Sequence, residues 1–146
     1  MLVRTAEARW LGDVKTGKGR VKLGSDVFDG DFTLGSRFES APGTNSEELL
    51  GAAQASCFNI ALAKNLEQLG FAVQAIDTRA SVSIDKVNNE SKITSIEYNT
   101  EAKVMPHMDE VMLREQAELA VNHCPVSEAL SGVSVIVNAR RMTMAA

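Results

Sequence analysis

Between Leu49 and Ala63 the chain is almost free of polar side chains, broken only by Gly51, Gln54, Ser56 and Asn59. A surface helix carries one apolar stripe, whereas a helix apolar on every side is buried in a core or a bilayer. This run is flanked by charge and is shorter than the ~20 mostly apolar residues that span a membrane. It therefore reads as a buried central helix. Its ends are marked: Asn45 can cap an unpaired backbone N–H, and Glu48, three residues on, can reach back in a box-like arrangement. Glu47 and Glu48 sit where the helix dipole favours negative charge, and Gly70 suits the left-handed residue that ends a helix. The spacing predicts a helix over 46–69, about 36 Å long at ~1.5 Å per residue.

A chain of 146 residues is one domain's worth and buries a core without disulfide staples. The net charge of −4 argues against nucleic acid as a partner, because phosphate binding needs concentrated Lys and Arg. Lys15, Lys18, Arg20 and Lys22 do cluster, but their spacing on a strand reads as a solvated face. Residues 1–10 carry charges throughout and lack the apolar segment of a secretory leader, so a cytoplasmic, non-membrane protein is expected. Two cysteines in that compartment read as free, catalytic or redox-sensing groups before a permanent bridge.

Residues 5–10, 19–23 and 27–38 are short and separated by Gly-Asp, Thr-Gly and Ser-Asp turn signals, an antiparallel β region. Ala41-Pro42-Gly43 breaks the chain before the central helix. Beyond Gly70, Ile76, Thr78, Ala80, Val82 and Ile84 alternate with Asp77, Arg79, Ser81 and Ser83, a half-buried strand. Asn88-Asn89-Glu90-Ser91 turns it into a second strand over 93–104, so the pair is a hairpin. Met108, Val111, Met112 and Leu119 mark the apolar face of another helix. Pro125 opens a short helix with Cys124 at its cap, Gly132 ends it, and Val133, Val135 and Val137 alternate as a last strand. The sum is α+β. One domain over 1–146 divides into a β region (1–40), the central helix (45–70), a hairpin (73–105), helices carrying Cys124 (108–131) and a final strand (132–140).

Chemistry centres on Cys57 and Cys124. A thiol at a helix N-terminus meets unpaired N–H groups that favour the thiolate. Cys57, inside an apolar helix, is inert near neutral pH unless a cation lies beside it, and Arg37, Arg20 and Lys18 are the candidates. Four readings stand side by side. Both cysteines can be packing residues; Cys57, Cys124, His107 and His123 can be a zinc site, though no CxxC or HxxxH pair supports it. A Cys–His acyl-transfer nucleophile is available with His107 or His123 as base. A two-cysteine peroxidase is the fourth, with Cys57 oxidised to a sulfenic acid that condenses with Cys124.

The run Gly43-Thr44-Asn45-Ser46-Glu47-Glu48-Leu49 followed by Ala52-Ala53-Gln54-Ala55-Ser56-Cys57-Phe58, with Cys124-Pro125-Val126-Ser127 downstream, resembles the OsmC/Ohr family of osmotically induced and organic-hydroperoxide-resistance proteins. Residues 9–19 look more like the OsmC branch. The resemblance implies an OsmC-like fold, an intertwined homodimer with antiparallel sheets wrapped around two central helices. It also implies a peroxidase that reduces organic hydroperoxides, uses no cofactor or metal, and is recycled by an external dithiol of lipoyl type. Position by position, Cys57 matches the peroxidatic residue, Cys124 the resolving one, Arg37 the catalytic arginine and Glu47 the carboxylate that holds it. Ser46 departs from the family, which commonly has proline there. Glu47 and Cys57 lie ten residues apart, so one straight helix separates them by about 15 Å. The spacing favours a site completed by a second subunit, or else a helix bent at Gly51. An acyl-transfer enzyme and a non-catalytic small-molecule-binding stress protein remain the rivals.

Overall fold

The computed structural model describes residues 1–143 as two compact units that meet in sequence between Leu49 and Leu50. The first opens with β1 (Ala6–Leu11), β2 (Lys18–Leu23) and β3 (Asp29–Phe32), an antiparallel meander in that order. Trp10 packs against Phe32 across it, ring centroids 5.7 Å apart. Gly19 lies directly under the Phe32 ring, where a Cβ would collide with it, so the aromatic pair depends on that residue having no side chain. Arg20 pairs with Asp29 and Asp31 at 2.7 and 2.8 Å, and Lys22 with Asp26 at 2.7 Å, so this basic stretch is a solvated face.

The third strand is shorter than its residues suggested. It ends at Phe32, and Leu34–Phe38 is a short helix, α1. The cause is local. The Thr33 hydroxyl accepts from the Ser36 backbone N–H at 3.0 Å and Ser36 Oγ accepts from the Thr33 N–H at 2.8 Å, a reciprocal cap. Arg37 thus sits on a helix and not on a strand.

The central helix α2 runs over Ser46–Gln68 and stops at Gly70, which adopts φ +90°. Asn45 does cap it, accepting from the Glu48 N–H at 2.8 Å. Glu48 does not close the expected box; its carboxylate accepts from the Thr44 hydroxyl at 3.0 Å. Nor is the helix enclosed on all sides within one chain. Gln54, Phe58, Ala61, Leu62, Asn65 and Leu66 are buried, but Ala52, Ala53 and Ser56 are exposed, and Ile60 is 73% exposed.

In the second unit β4 (Ala72–Val87) and β5 (Glu90–Met105) form a long antiparallel hairpin. Asn88 and Asn89 turn it with positive φ at both positions, a conformation asparagine tolerates better than most residues. The chain then crosses through α3 (Glu110–Asn122) and α4 (Pro125–Ala129) to β6 (Ser134–Arg141), which pairs parallel to β5. α4 ends at Ala129 with Leu130 as its cap, short of Gly132. The alternating inward residues of β5, Ile96, Tyr98, Ala102 and Val104, join Phe58, Leu62 and Leu66 of α2 in one apolar cluster.

α3 turns a different face inward from the one its larger side chains suggested. Leu113, Ala117 and Ala120 are fully buried, while Val111, Met112 and Leu119 are exposed and only Met108 packs inside as expected. Alanines let a helix approach its neighbours closely, and that outweighs the pull of bulkier residues at the edge. Leu113→Ala therefore costs about 2–5 kcal/mol in urea unfolding, whereas Leu119→Ala costs less than about 1 kcal/mol. Equal losses would place the helix the other way round.

Candidate active site

Two local constellations contain the residues singled out from the sequence. The first lies wholly in the N-terminal unit. Ser36 Oγ donates to the Thr44 carbonyl at 2.8 Å, the Thr44 N–H donates to the Asp31 carbonyl at 2.9 Å, and the Asn45 amide donates to the Ser36 carbonyl at 3.3 Å. These bonds tie α1 to the first turn of α2. They set the Arg37 guanidinium against the Glu47 carboxylate: Nη2 donates to Oε1 at 2.7 Å, and Nε to Oε1 and Oε2 at 3.1 and 3.3 Å. Glu47 is buried while Arg37 stays half exposed, its guanidinium 4.9 Å from the Phe38 ring centroid. Its hydrogen bonds to the Glu47 carboxylate raise the Arg37 pKa above its ordinary value. A fixed, permanently charged guanidinium with one edge still open is what this pair presents.

The second constellation lies wholly in the C-terminal unit. Cys57, partly exposed on α2, and Cys124, buried at the cap of α4, are free thiols close enough for each to act on the other's ionisation. Burial pushes the Cys57 thiol up, and its bond to Cys124 pushes it further, against a weaker pull from the Val126 N–H. Burial acts on Cys124 too. There it is outweighed by hydrogen bonds from the Cys57 thiol, the Ser127 hydroxyl and the N–H groups of Ser127 and Val126, so its pKa falls. Cys124 meets the helix-terminus environment expected of it. The two shifts are opposed, upward for Cys57 and downward for Cys124.

Beneath the thiols is a polar network that the sequence reading passed over. Ser127 Oγ donates to Gln54 Oε1 at 2.9 Å, and the Tyr98 hydroxyl donates to the same oxygen. Gln54 and Tyr98 are fully buried. Tyr98 is held on its other side by Phe58, ring centroids 4.9 Å apart. The available signal was Gln54 itself, an amide three residues before Cys57 in an apolar helix, matched by Ser127 three residues after Cys124.

The remaining candidates do not join either group. Arg20 is committed to Asp29 and Asp31, and Lys18 lies on β2 opposite Leu11. His107 contacts Arg141, and His123 is the C-terminal cap of α3; neither is among the groups that act on the thiols. Among the described residues no three His, Cys, Asp or Glu side chains converge as a metal site, so the four-ligand zinc arrangement does not form. No helix among them is long and apolar enough to cross a membrane.

The opposed shifts have a measurable consequence. In a thiolate titration at 240 nm the first ionisation falls below the usual thiol range and the second above it. Cys57→Ala removes a donor and moves the Cys124 ionisation upward. Cys124→Ala removes a like charge and moves that of Cys57 downward. Two superimposed, unshifted ionisations in the parent would contradict the contact.

The OsmC-like protein family model matches residues 38–138. Over 128 residues the chain is 41% identical to peroxiredoxin OsmC of Escherichia coli strain K12, covering 87% of this chain and 89% of that protein. Among solved structures, the organic hydroperoxide resistance protein OhrB of Bacillus subtilis superimposes with a TM-score of 0.74 at 23% identity, covering 93% of this chain and 98% of that one. An organic hydroperoxide resistance protein OsmC from Legionella pneumophila does so with a TM-score of 0.72 at 17% identity, covering 98% of this chain and 100% of its own. The mixed α and β fold with two sheets is theirs as well. The chain belongs to the OsmC-like protein family.

Proposed function

We propose that this protein is a thiol peroxidase of oxidative and osmotic stress defence that reduces organic hydroperoxides, and hydrogen peroxide more weakly. The observation that carries the reading is the contact of one partly exposed thiol, Cys57, with one buried thiol, Cys124. Its 41% identity to a peroxiredoxin supports it. The Cys57 thiolate attacks the terminal peroxide oxygen, the O–O bond breaks, and the alkoxide leaves as an alcohol after taking a proton. The Cys57 sulfenic acid then meets Cys124: the S–S bond forms, the S–O bond breaks, and water departs. An external dithiol, of lipoyl type by family resemblance, reduces the disulfide and closes the cycle. No prosthetic group enters this scheme. A cytoplasmic setting, where such dithiols are kept reduced, suits it.

Cys57 needs help to start, because burial and the neighbouring Cys124 raise its pKa. Arg37, oriented by Glu47, is the cation we assign to it, and the same charge stabilises the alkoxide as the O–O bond breaks. On one helix Glu47 and Cys57 are about 15 Å apart along the axis. We therefore assign the Arg37–Glu47 pair of a second subunit to each Cys57, in a homodimer. Ala52, Ala53 and Ile60, exposed on an otherwise core-forming helix, support a subunit seated there. Phe58, fully buried against Tyr98, is not available to substrate. An alkyl tail buried where that interface meets Cys57 is worth roughly 25 cal/mol per Å². An acyl-transfer reading lacks its base, since neither histidine reaches a thiol.

Intact mass after one equivalent of cumene hydroperoxide tests the assignment. The parent loses two hydrogens, about 2 Da, Cys124→Ser accumulates a Cys57 sulfenic acid, and Cys57→Ser is unchanged. Consumption of peroxide by Cys57→Ser at the parent rate would end the mechanism. Arg37→Ala slows the first step by roughly 10²–10³-fold in stopped flow; a parent-like rate would remove Arg37 from the site. Ile60→Asp gives a monomer in sedimentation velocity with at least about tenfold lower turnover. A fully active monomer would overturn the shared site.

A further inference from the structure

Gln54 and Cys57 are three residues apart on α2, and Cys124 and Ser127 are three residues apart at the start of α4. Residues at that spacing share a helix face. The two helices therefore meet through two polar rungs. One is the thiol pair; the other is the Ser127 hydroxyl on Gln54 Oε1 at 2.9 Å, with Tyr98 of β5 donating to the same oxygen. We propose that Gln54, Ser127 and Tyr98 are positioning residues that hold Cys124 against Cys57 while the disulfide closes. The inference rests on the peroxidase reading of the thiol pair.

The first rung does not survive the reaction. Once Cys57 is a sulfenic acid it has no S–H left to offer Cys124. Closure then requires Cys124 Sγ to come up behind the S–O bond of Cys57, on a line with it. The electron pair of Cys124 Sγ forms the S–S bond as the S–O pair leaves with hydroxide, which takes up the proton Cys124 released. Alignment of this kind is worth large factors in rate. α4 has little of its own to provide it. The helix is five residues long, and its cap, Cys124, makes no side-chain capping hydrogen bond. Among the described residues, Ser127 on Gln54 is the side-chain hydrogen bond between α4 and α2 that oxidation of Cys57 leaves intact.

Three details fit a positioning role better than a stabilising one. Gln54 is fully buried and its Nε2 has no partner among the described residues, a destabilising arrangement that an apolar side chain of the same length would avoid. Tyr98 comes from the middle of the sheet and is clamped by Phe58, so the amide is referred to the rigid core and not to a loop. Ser127 also lies close enough to Cys124 to lower its pKa, which puts this side chain between the two rungs.

The test separates the two chemical steps. In rapid-quench experiments with cumene hydroperoxide, a sulfenic-acid trap reports oxidation of Cys57 and non-reducing mass analysis reports disulfide closure. Ser127→Ala and Gln54→Met slow closure by roughly ten- to a hundredfold more than they slow oxidation. At excess peroxide their Cys57 accumulates as sulfinic acid. Ser127→Thr, which keeps the hydroxyl, restores closure, and Tyr98→Phe gives an intermediate defect. Parent-like melting of each variant excludes unfolding as the cause, and Gln54→Met preserves volume should Ser127→Ala fail to fold. Closure slowed no more than oxidation in the folded variants, or no rescue by Ser127→Thr, would overturn the inference and leave the peroxidase reading standing. Absence of any sulfenic acid in the parent would instead overturn the peroxidase reading, and this inference with it.

Discussion

The contact between Cys57 and Cys124 controls what the rest of the structure has to supply. Each thiol acts on the other's ionisation: burial raises the pKa of Cys124, and the Cys57 thiol lowers it most, ahead of Ser127 and the N–H groups at the start of α4. Burial and the neighbouring Cys124 push the pKa of the more exposed thiol, Cys57, upward. Under the proposed mechanism a cation beside Cys57 offsets that shift, and the Arg37–Glu47 pair is a guanidinium already oriented by a carboxylate.

The division of labour between the two units follows from this. The N-terminal unit has little apolar interior; its best-buried groups are polar, Ser36, Thr44 and Glu47, and they serve to fix α1 on the first turn of α2. The C-terminal unit holds the apolar cluster and, within it, the thiols and the Gln54–Tyr98–Ser127 network. Each half holds its functional groups by hydrogen bonds made within that half. Charge comes from one and sulfur from the other, which is the logic behind assigning them to partner subunits.

How far the sequence led depended on whether a signal was local. The Asn45 cap, the Gly70 stop, the Asn88-Asn89 turn and the alternation in β4 and β5 depend on neighbours in the chain, and each appeared where the residues put it. The third strand was overextended because Thr33 and Ser36 cap each other, a contest between strand and helix that alternation alone does not register. The inward face of α3 was misjudged because size was read as burial, when Ala117 and Ala120 pack closest. The parallel pairing of β6 with β5 depends on a long crossover, and no alternating pattern specifies its partner. Cys57, Cys124, Arg37 and Glu47 were singled out by family resemblance, and the structure sets Arg37 on Glu47 and Cys57 near Cys124. Gln54 was not singled out, because a lone amide in an apolar run looks like an interruption until its partners, 44 and 73 residues away, are known.

The central claim is that sulfur and guanidinium act across two chains, and subunit complementation tests it most directly. Arg37→Ala retains a competent Cys57, and Cys57→Ser retains a competent Arg37, but neither homodimer should reduce peroxide at an appreciable rate. Co-refolding the two in equal amounts produces mixed dimers in which one site holds both native groups. The account predicts that the mixture regains cumene hydroperoxide reduction that neither variant shows alone. A mixture as inactive as its components, with mixed dimers demonstrated by mass, would contradict it.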